Sequence, residues 1–358
     1  MIISRTPYRI SFFGGGTDYP AWYRQHGGAV LAATINKYCY LTCRYLPPFF
    51  EHRIRVVYSK VEICQKLEEI AHPAVRETLR YLKVRRGVEI HHDGDLPGRS
   101  GMGSSSSFTV GLLHAFHGLQ GRVIGKKQLA AQSIYLEQDV LREAVGSQDQ
   151  VCAAYGGMNR IHFLPNGDFS VQPLTISRQR LAELNSHLML FYTGIKRTAS
   201  DVASTFVNGM DKRSKSLNRL LDCVEESCRI LNSKSDIKAF GKLLHEGWLA
   251  KRELSDKISN SSVDAMYDDA RAAGAIGGKL LGAGGGGFVL LFAPPGRHAT
   301  IRKRLSRLIH VPFQFEFGGS QIVFYDPGED YSRHEKARMR QRIDSFRELD
   351  PASPMASA

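Results

Sequence analysis

The chain has 358 residues, 42% of them hydrophobic and 23% charged, enough apolar material for buried cores in about two domains and too little charge for a disordered chain. No apolar run reaches the ~20 residues of a membrane helix, and Met1-Ile2-Ile3-Ser4-Arg5 lacks the apolar core of a signal peptide, so a cytoplasmic protein is expected. Lys plus Arg exceed Asp plus Glu by 48 − 35 = 13, an excess compatible with nucleic acid, an anionic membrane surface or phosphorylated small molecules. Basic clusters such as Ile301–Leu305 and Arg338–Arg342 carry no interleaved aromatics, and no zinc-finger or RNA-recognition signature accompanies them, which argues against nucleic acid. The six cysteines form no C-x-x-C pair and read as reduced thiols.

In chain order, Tyr8–Phe13 and Ala29–Arg44 read as strands on either side of the triplet Gly14-Gly15-Gly16. Helical spacing is predicted over 61–82, broken near Pro73, and Gly87–His91 returns to strand alternation. A loop from Leu96 to Ser107, rich in glycine and serine, opens a helix marked by Phe108, Leu112 and Phe116. A further helix is predicted over 128–145, stopped at Gly146. Another begins at once, because Ser147-Gln148-Asp149-Gln150 has the capping-box pattern; Asp149 then sits in a first turn, where the helix dipole favours a carboxylate. Asn166-Gly167 predicts a type I′ hairpin turn between strands at 158–163 and 169–174.

A boundary at 175–186 divides the chain into domains 1–180 and 181–358. The second contains a strand at 187–192, helical patterns over 199–231 and 237–254, and another helix before Gly274. A glycine loop leads into a buried strand at Phe288–Phe292, and the tail from Pro351 is expected to fray. No repeat of solenoid period is present.

Two glycine loops are candidates for phosphate. Gly282-x-Gly284-x-x-Gly287 spells the dinucleotide fingerprint, but a helix is expected before it and a strand after it, the reverse of the required order. A tight helix-to-strand turn leaves four consecutive glycines unexplained, so a ligand or a second backbone is expected to approach there. The Pro97–Ser107 loop is better placed, since glycines let N–H groups converge ahead of a helix N-terminus. It lacks the G-K-[ST] ending of a Walker loop, and its serines offer hydroxyls for metal ligation. A serine hydrolase built on Ser104–Ser107, Asp149 and a histidine such as His162 has no G-x-S-x-G elbow to support it.

Three motifs in order, Arg5-Thr6-Pro7-Tyr8-Arg9-Ile10 through Thr17-Asp18-Tyr19, Pro97–Ser107, and Lys279–Phe292, resemble those of the GHMP kinase superfamily over nearly the whole chain. The resemblance implies an α+β, two-domain fold: an N-terminal domain like ribosomal protein S5 domain 2, a ferredoxin-like C-terminal domain, and an active site in the cleft between them. Phe12–Pro20, Tyr192–Arg197, Leu243–Trp248 and Gly278–Phe288 are similar to the bacterial D-glycero-D-manno-heptose 7-phosphate kinases, which phosphorylate the anomeric hydroxyl. Galactokinases carry an acidic residue and a histidine where Gly15 and Gly16 stand.

This resemblance implies ATP and Mg2+ as cofactors, a sugar phosphate as partner, and a 1,7-bisphosphate product feeding nucleotide-activated heptose for capsule, lipopolysaccharide or surface-layer glycans. It implies Asp149 as the catalytic carboxylate with Arg9 beside it. Pro97, Gly98, Gly101, Met102, Gly103, Ser104, Ser105 and Ser106 would bind ATP, and Ser105 and Glu137 the magnesium ion. Gly14, Gly15, Gly16, Thr17, Asp18, Lys196, Arg197, Gly284 and Gly285 would receive the substrate, with Asp18 accepting from ring hydroxyls, the glycines admitting the longer chain, and Lys196 and Arg197 meeting its distal phosphate. Taken alone, Glu137 reads as a solvent-facing helical carboxylate and the two basic residues as solvated side chains. A kinase for a fucose- or galactose-like sugar and a noncatalytic sugar-nucleotide sensor on the same fold remain open, as does the oligomeric state.

Overall fold

The computed structural model describes residues 1–50, 52–195, 202–203, 205, 207, 209–328 and 331–341. Two sheets organise it. The larger contains β1 (Ile2–Phe13), β2 (Gly28–Tyr45), β3 (Ile54–Val57), β4 (Val61–Cys64), β5 (Val88–Gly94), β6 (Met158–Phe163) and β7 (Phe169–Pro173). The smaller contains β8 (Leu188–Tyr192), β9 (Gly277–Leu280), β10 (Phe288–Phe292) and β11 (Ile309–His310). The last two strands, β12 (Phe315–Glu316) and β13 (Gln321–Tyr325), return to the larger sheet, where they pair with β2 and β1. Part of 181–358 therefore completes the first sheet.

β1 and β2 form a long antiparallel ribbon whose register shifts at Pro7/Tyr8 and Ser11/Phe13. These irregularities bend the ribbon. Its two halves consequently serve different neighbours: Cys39–Tyr45 of β2 pair with β5, and Gly28–Ala33 with β6. The helix Ser104–Leu119 packs on this ribbon through buried Phe108, Leu112, Leu113 and Phe116.

The smaller sheet runs β11-β8-β10-β9, every pair antiparallel. With the helices Ser214–Asn232, Lys238–Arg252 and Ser261–Ala272 between β8 and β9, and His298–Arg304 between β10 and β11, its order is fourth-first-third-second. That is the ferredoxin-like connectivity expected for this half. Phe240, on the second of those helices, meets Phe12 and Phe13 edge-on at ring distances of 5.5 and 5.2 Å and Phe292 at 6.0 Å. This aromatic joint fixes β1 against β10 and so sets the cleft between the sheets.

Three local expectations are corrected. Val61–Cys64 is a strand rather than the start of a helix: paired with β3 at the sheet edge, it leaves Val61 and Ile63 exposed, and pairing outweighs an apolar spacing that fits both periods. The helix predicted to 145 leaves α-geometry after Tyr135, continues as a π-turn at Leu136–Val140 and becomes irregular. In the 164–168 turn Gly167 N–H donates to Leu164 O, and Gly167 alone is left-handed, so the turn is not type I′.

Candidate active site

The Pro97–Ser107 loop is held from both sides. From within, Ser100 Oγ donates to Pro97 O at 2.6 Å, and Arg99 N–H donates to Ser104 Oγ at 3.1 Å. From the other sheet, Phe288 N–H donates to Ser100 O at 3.2 Å, and Leu281–Gly282 packs directly on Gly101. A Cβ on Gly101 would lie 2.5 Å from Leu281 O, and one on Gly282 would lie 2.6 Å from Gly101 Cα. Gly101 has φ +84° and Gly282 φ +75°, so glycine is required on both sides of the contact. The C-terminal glycines thus brace the phosphate loop by backbone contact, and they connect β9 to β10 rather than a helix to a strand.

Beyond the loop, Gly103 starts the Ser104–Leu119 helix with φ +74° and no capping side chain. The first-turn N–H groups of Ser104, Ser105 and Ser106 have no intrahelical partners, and with the helix dipole they make an anion-binding end. Pro97 and Gly98 are exposed, whereas Met102 is buried.

Arg9 lies beneath this loop. Its guanidinium grips Asp149 with both forks, Nε to Oδ1 at 2.7 Å and Nη2 to Oδ2 at 2.8 Å, while Nη1 donates to Gly101 O at 2.7 Å. Arg9 is 4% exposed and Asp149 25%; the cation is buried and the carboxylate opens to the cleft. Asp149 does occupy the first turn of the helix Gln148–Tyr155, but the capping box does not form. Ser147 Oγ contacts Tyr23 OH at 3.3 Å and accepts from Gln138 Nε2 at 3.0 Å, and Gln150 turns inward to Glu137.

In place of a local cap, Asp18 lies against this helix end. Its carboxylate accepts from Gly16 N–H at 2.8 Å and Gln148 N–H at 3.4 Å, and it occupies the space a Cβ on Gly146 would need. Burial pushes the Asp18 carboxyl above the usual carboxylate range, and nearby Asp149 adds to the rise; the Gly16 N–H and Lys251 oppose it. Thr17 donates to Gly14 O at 2.8 Å and Ala29 O at 3.0 Å, locking the turn that presents Asp18. The room expected around the glycine triplet is confined to Gly15: a Cβ at Gly14 would strike Ala29 O at 1.9 Å, and one at Gly16 would pack on Leu254 and Leu217.

Glu137 is buried, not solvent-facing, because it sits in the π-turn. Its Oε2 accepts from Ser106 Oγ at 2.9 Å and Gln150 Nε2 at 2.5 Å, while Oε1 has no partner among the described residues. Burial raises its carboxyl to about 8. The structure therefore pairs Glu137 with Ser106, and Ser105, one position earlier, is exposed. A hydroxyl and a carboxylate with an unused oxygen form a hard-oxygen donor set suited to Mg2+.

Of the remaining expected substrate residues, Gly284 and Gly285 lie on the brace, where Gly285 N–H donates to Ile258 O at 2.8 Å. Lys196 and Arg197 lie outside the described residues. Sequence reasoning missed two buried lysines. Lys251 Nζ donates to Gly282 O at 2.6 Å and Lys279 Nζ to Phe12 O at 2.9 Å. Burial, with Lys251 and Arg9 nearby, drives the Lys279 ammonium well below the usual lysine range. Lys279 belongs to the quoted glycine motif, whereas Lys251, in the last turn of a helix, looks in sequence like an ordinary complement to the dipole.

The pattern of the GHMP kinases N terminal domain matches residues 63–157, and that of the GHMP kinases C terminal domain matches residues 223–310. The chain belongs to the GHMP kinase family. As a GHMP kinase it is an ATP-dependent phosphotransferase. It is 28% identical over 317 residues to the D-glycero-alpha-D-manno-heptose 7-phosphate kinase of Campylobacter jejuni, covering 86% of this chain and 93% of that protein. Its fold matches the crystal structure of a D-glycero-D-manno-heptose 1-phosphate kinase from Bacteroides thetaiotaomicron with a TM-score of 0.75 at 24% identity, over 91% of this chain and all of that one. The galactokinase of Lactococcus lactis complexed with galactose matches with a TM-score of 0.68 at 16% identity, over 90% and 94%. Among the described residues no helix of this kinase is long and apolar enough to cross a membrane.

Proposed function

We propose that this GHMP kinase transfers the γ-phosphoryl group of ATP to the anomeric hydroxyl of D-glycero-D-manno-heptose 7-phosphate, giving the 1,7-bisphosphate. The observation that carries the reading is the two-pronged Arg9–Asp149 pair beneath a glycine-serine phosphate loop, with Asp18 at the same helix end. The heptose acceptor rests on the Campylobacter relative.

The acceptor hydroxyl donates to Asp149, whose exposed edge faces the cleft. Its oxygen forms the new bond to γ-phosphorus as the bond to the β-bridging oxygen breaks, and its proton passes late to Asp149, leaving ADP. Arg9 holds that carboxylate in one orientation and places positive charge beside the transferring group. The loop N–H groups and the Ser104 helix end bind the phosphates. Ser106 and Glu137 would hold Mg2+, which supplies charge neutralisation on the phosphate oxygens. Asp18 positions the sugar through adjacent hydroxyls.

A phosphorylation panel tests this reading: hexoses, heptoses and their phosphates with Mg·ATP, the product position assigned by NMR. Transfer to the anomeric oxygen of the 7-phosphate supports it. Turnover of an unphosphorylated galactose- or fucose-like sugar alone would replace the acceptor, and transfer to a position other than the anomeric oxygen would overturn the product assignment.

A further inference from the structure

Between Pro97 and Ser107 the one charged side chain is Arg99. Its backbone is left-handed, with φ +58°, a conformation that among the described residues only two other non-glycine residues share, Lys83 and Arg142. The left-handed region penalises any residue with a Cβ, and glycine would take this position freely. An arginine held there against that penalty, in a loop built for an anion, points to a use for its side chain.

The backbone geometry brings that side chain to the anion. Arg99 N–H donates to Ser104 Oγ at 3.1 Å, closing the loop onto the first residue of the Ser104–Leu119 helix. Arg99 therefore stands beside the unpaired N–H groups of Ser104, Ser105 and Ser106, and an anion seated on them is within the length of an arginine side chain. The residue is exposed, and its guanidinium has no hydrogen bond or ion pair among the described residues. Arg9, the other guanidinium at the loop, is held by Asp149 and Gly101 O.

The side from which Arg99 approaches is set by Glu143. Burial raises the Glu143 carboxyl, and the Arg99 charge offsets part of that rise, so the two side chains are neighbours. Glu143 N–H donates to Glu137 O at 2.9 Å, next to the Ser106–Glu137 donor set. Arg99 thus reaches the helix end on the side of the residues that would hold a metal ion, which bridges β- and γ-phosphate oxygens in phosphoryl transfer.

We infer that Arg99 binds the terminal phosphates of the nucleotide, and that it supplies the cation which the missing Walker lysine would have given. This deepens the ATP-dependent reading, and it rests on Pro97–Ser107 being the phosphate loop. The planar fork of a guanidinium matches two phosphate oxygens, so the contact favours ATP and ADP over AMP. Glu143 balances the same charge while the loop is empty.

The test is calorimetric titration of ATP and ADP, with AMP measured by displacement of ADP, into the full-length wild type, Arg99→Gly, Arg99→Lys and Gly101→Ala, with thermal denaturation alongside. Arg99→Gly should weaken ATP and ADP about ten- to a hundredfold, the range of one charge-assisted contact, and AMP less than about threefold. It should do so without lowering the melting temperature, because glycine relieves the left-handed backbone; a residue that merely supported the loop would not separate the two readouts. Arg99→Lys, which keeps the charge and loses the fork, should fall between wild type and Arg99→Gly. Equal losses for all three nucleotides would place Arg99 away from the terminal phosphates and overturn the assignment. Unchanged affinities with a lowered melting temperature, matched by Glu143→Gln, would overturn it in favour of a structural ion pair. If Gly101→Ala weakens ATP and Arg99→Gly does not, the role of Arg99 fails and the phosphate loop stands; if neither weakens ATP, the phosphate-loop reading fails as well.

Discussion

The division of labour between Arg9 and Asp149 follows from their unequal exposure. A buried guanidinium that loses its carboxylate is left uncompensated, at a cost of about 3–5 kcal/mol. Asp149→Asn should therefore lower kcat by about 10²–10⁴-fold and also lower the melting temperature, with KM for ATP nearly unchanged; steady-state kinetics and thermal denaturation separate the two effects. Glu137 predicts a pH dependence. Its carboxyl is raised from 4.5 to about 8 by burial, so between those values the unfolded chain has lost the proton that the native state keeps. Stability without nucleotide or metal must then fall as pH rises through that window, the reverse of a salt-bridged carboxylate. Glu137→Gln should flatten this decline in melting temperature between pH 5 and 8 and should abolish Mg·ATP turnover; an unchanged slope would mean that the native carboxylate is ionised.

Between elements, the phosphate loop depends on a backbone-to-backbone contact. The Leu281–Gly282 segment lies on Gly101 with no space for a methyl group, so Gly101→Ala adds left-handed strain to a collision. It should cost about 1–3 kcal/mol from the backbone conformation alone and should raise KM for ATP, because the loop N–H groups are displaced. Gly98, in the exposed part of the same loop, is the control: nothing lies within 4 Å of a Cβ there, and Gly98→Ala should leave the melting temperature unchanged and KM for ATP within about twofold, as for a surface substitution. Denaturant unfolding and ATP titration of the pair distinguish a brace from a merely flexible linker.

Across the molecule, the two halves are interlocked rather than strung together. β12 and β13 come from the end of the chain yet pair with β2 and β1, and Ser320 Oγ lies 2.9 Å from Thr6 Oγ1 and 3.0 Å from His114 Nδ1. A fragment of residues 1–180 leaves the β1 edge unpaired, and an open edge of that length recruits other chains. It should aggregate or unfold without cooperativity, and fusing residues 313–328 to it through a linker should restore soluble protein; a monomeric, cooperatively folding 1–180 fragment would refute the interlock.

The sequence by itself determined the features that are written locally. The phosphate loop before its helix, the Met158–Pro173 hairpin and the strand Phe288–Phe292 each depend on residues within a few positions of one another. The resemblance of the three motifs then supplied the fold and the Arg9–Asp149 association. Only tertiary structure decided that Ser106 rather than Ser105 meets Glu137, since a π-turn changes which residues face inward. It also decided that Asp18 replaces the local cap, that the glycines of the second half brace the first, and that Lys251 reaches Gly282 O. These are encounters between segments tens to hundreds of residues apart, and no local periodicity encodes the distance between two side chains brought together only when both sheets have formed.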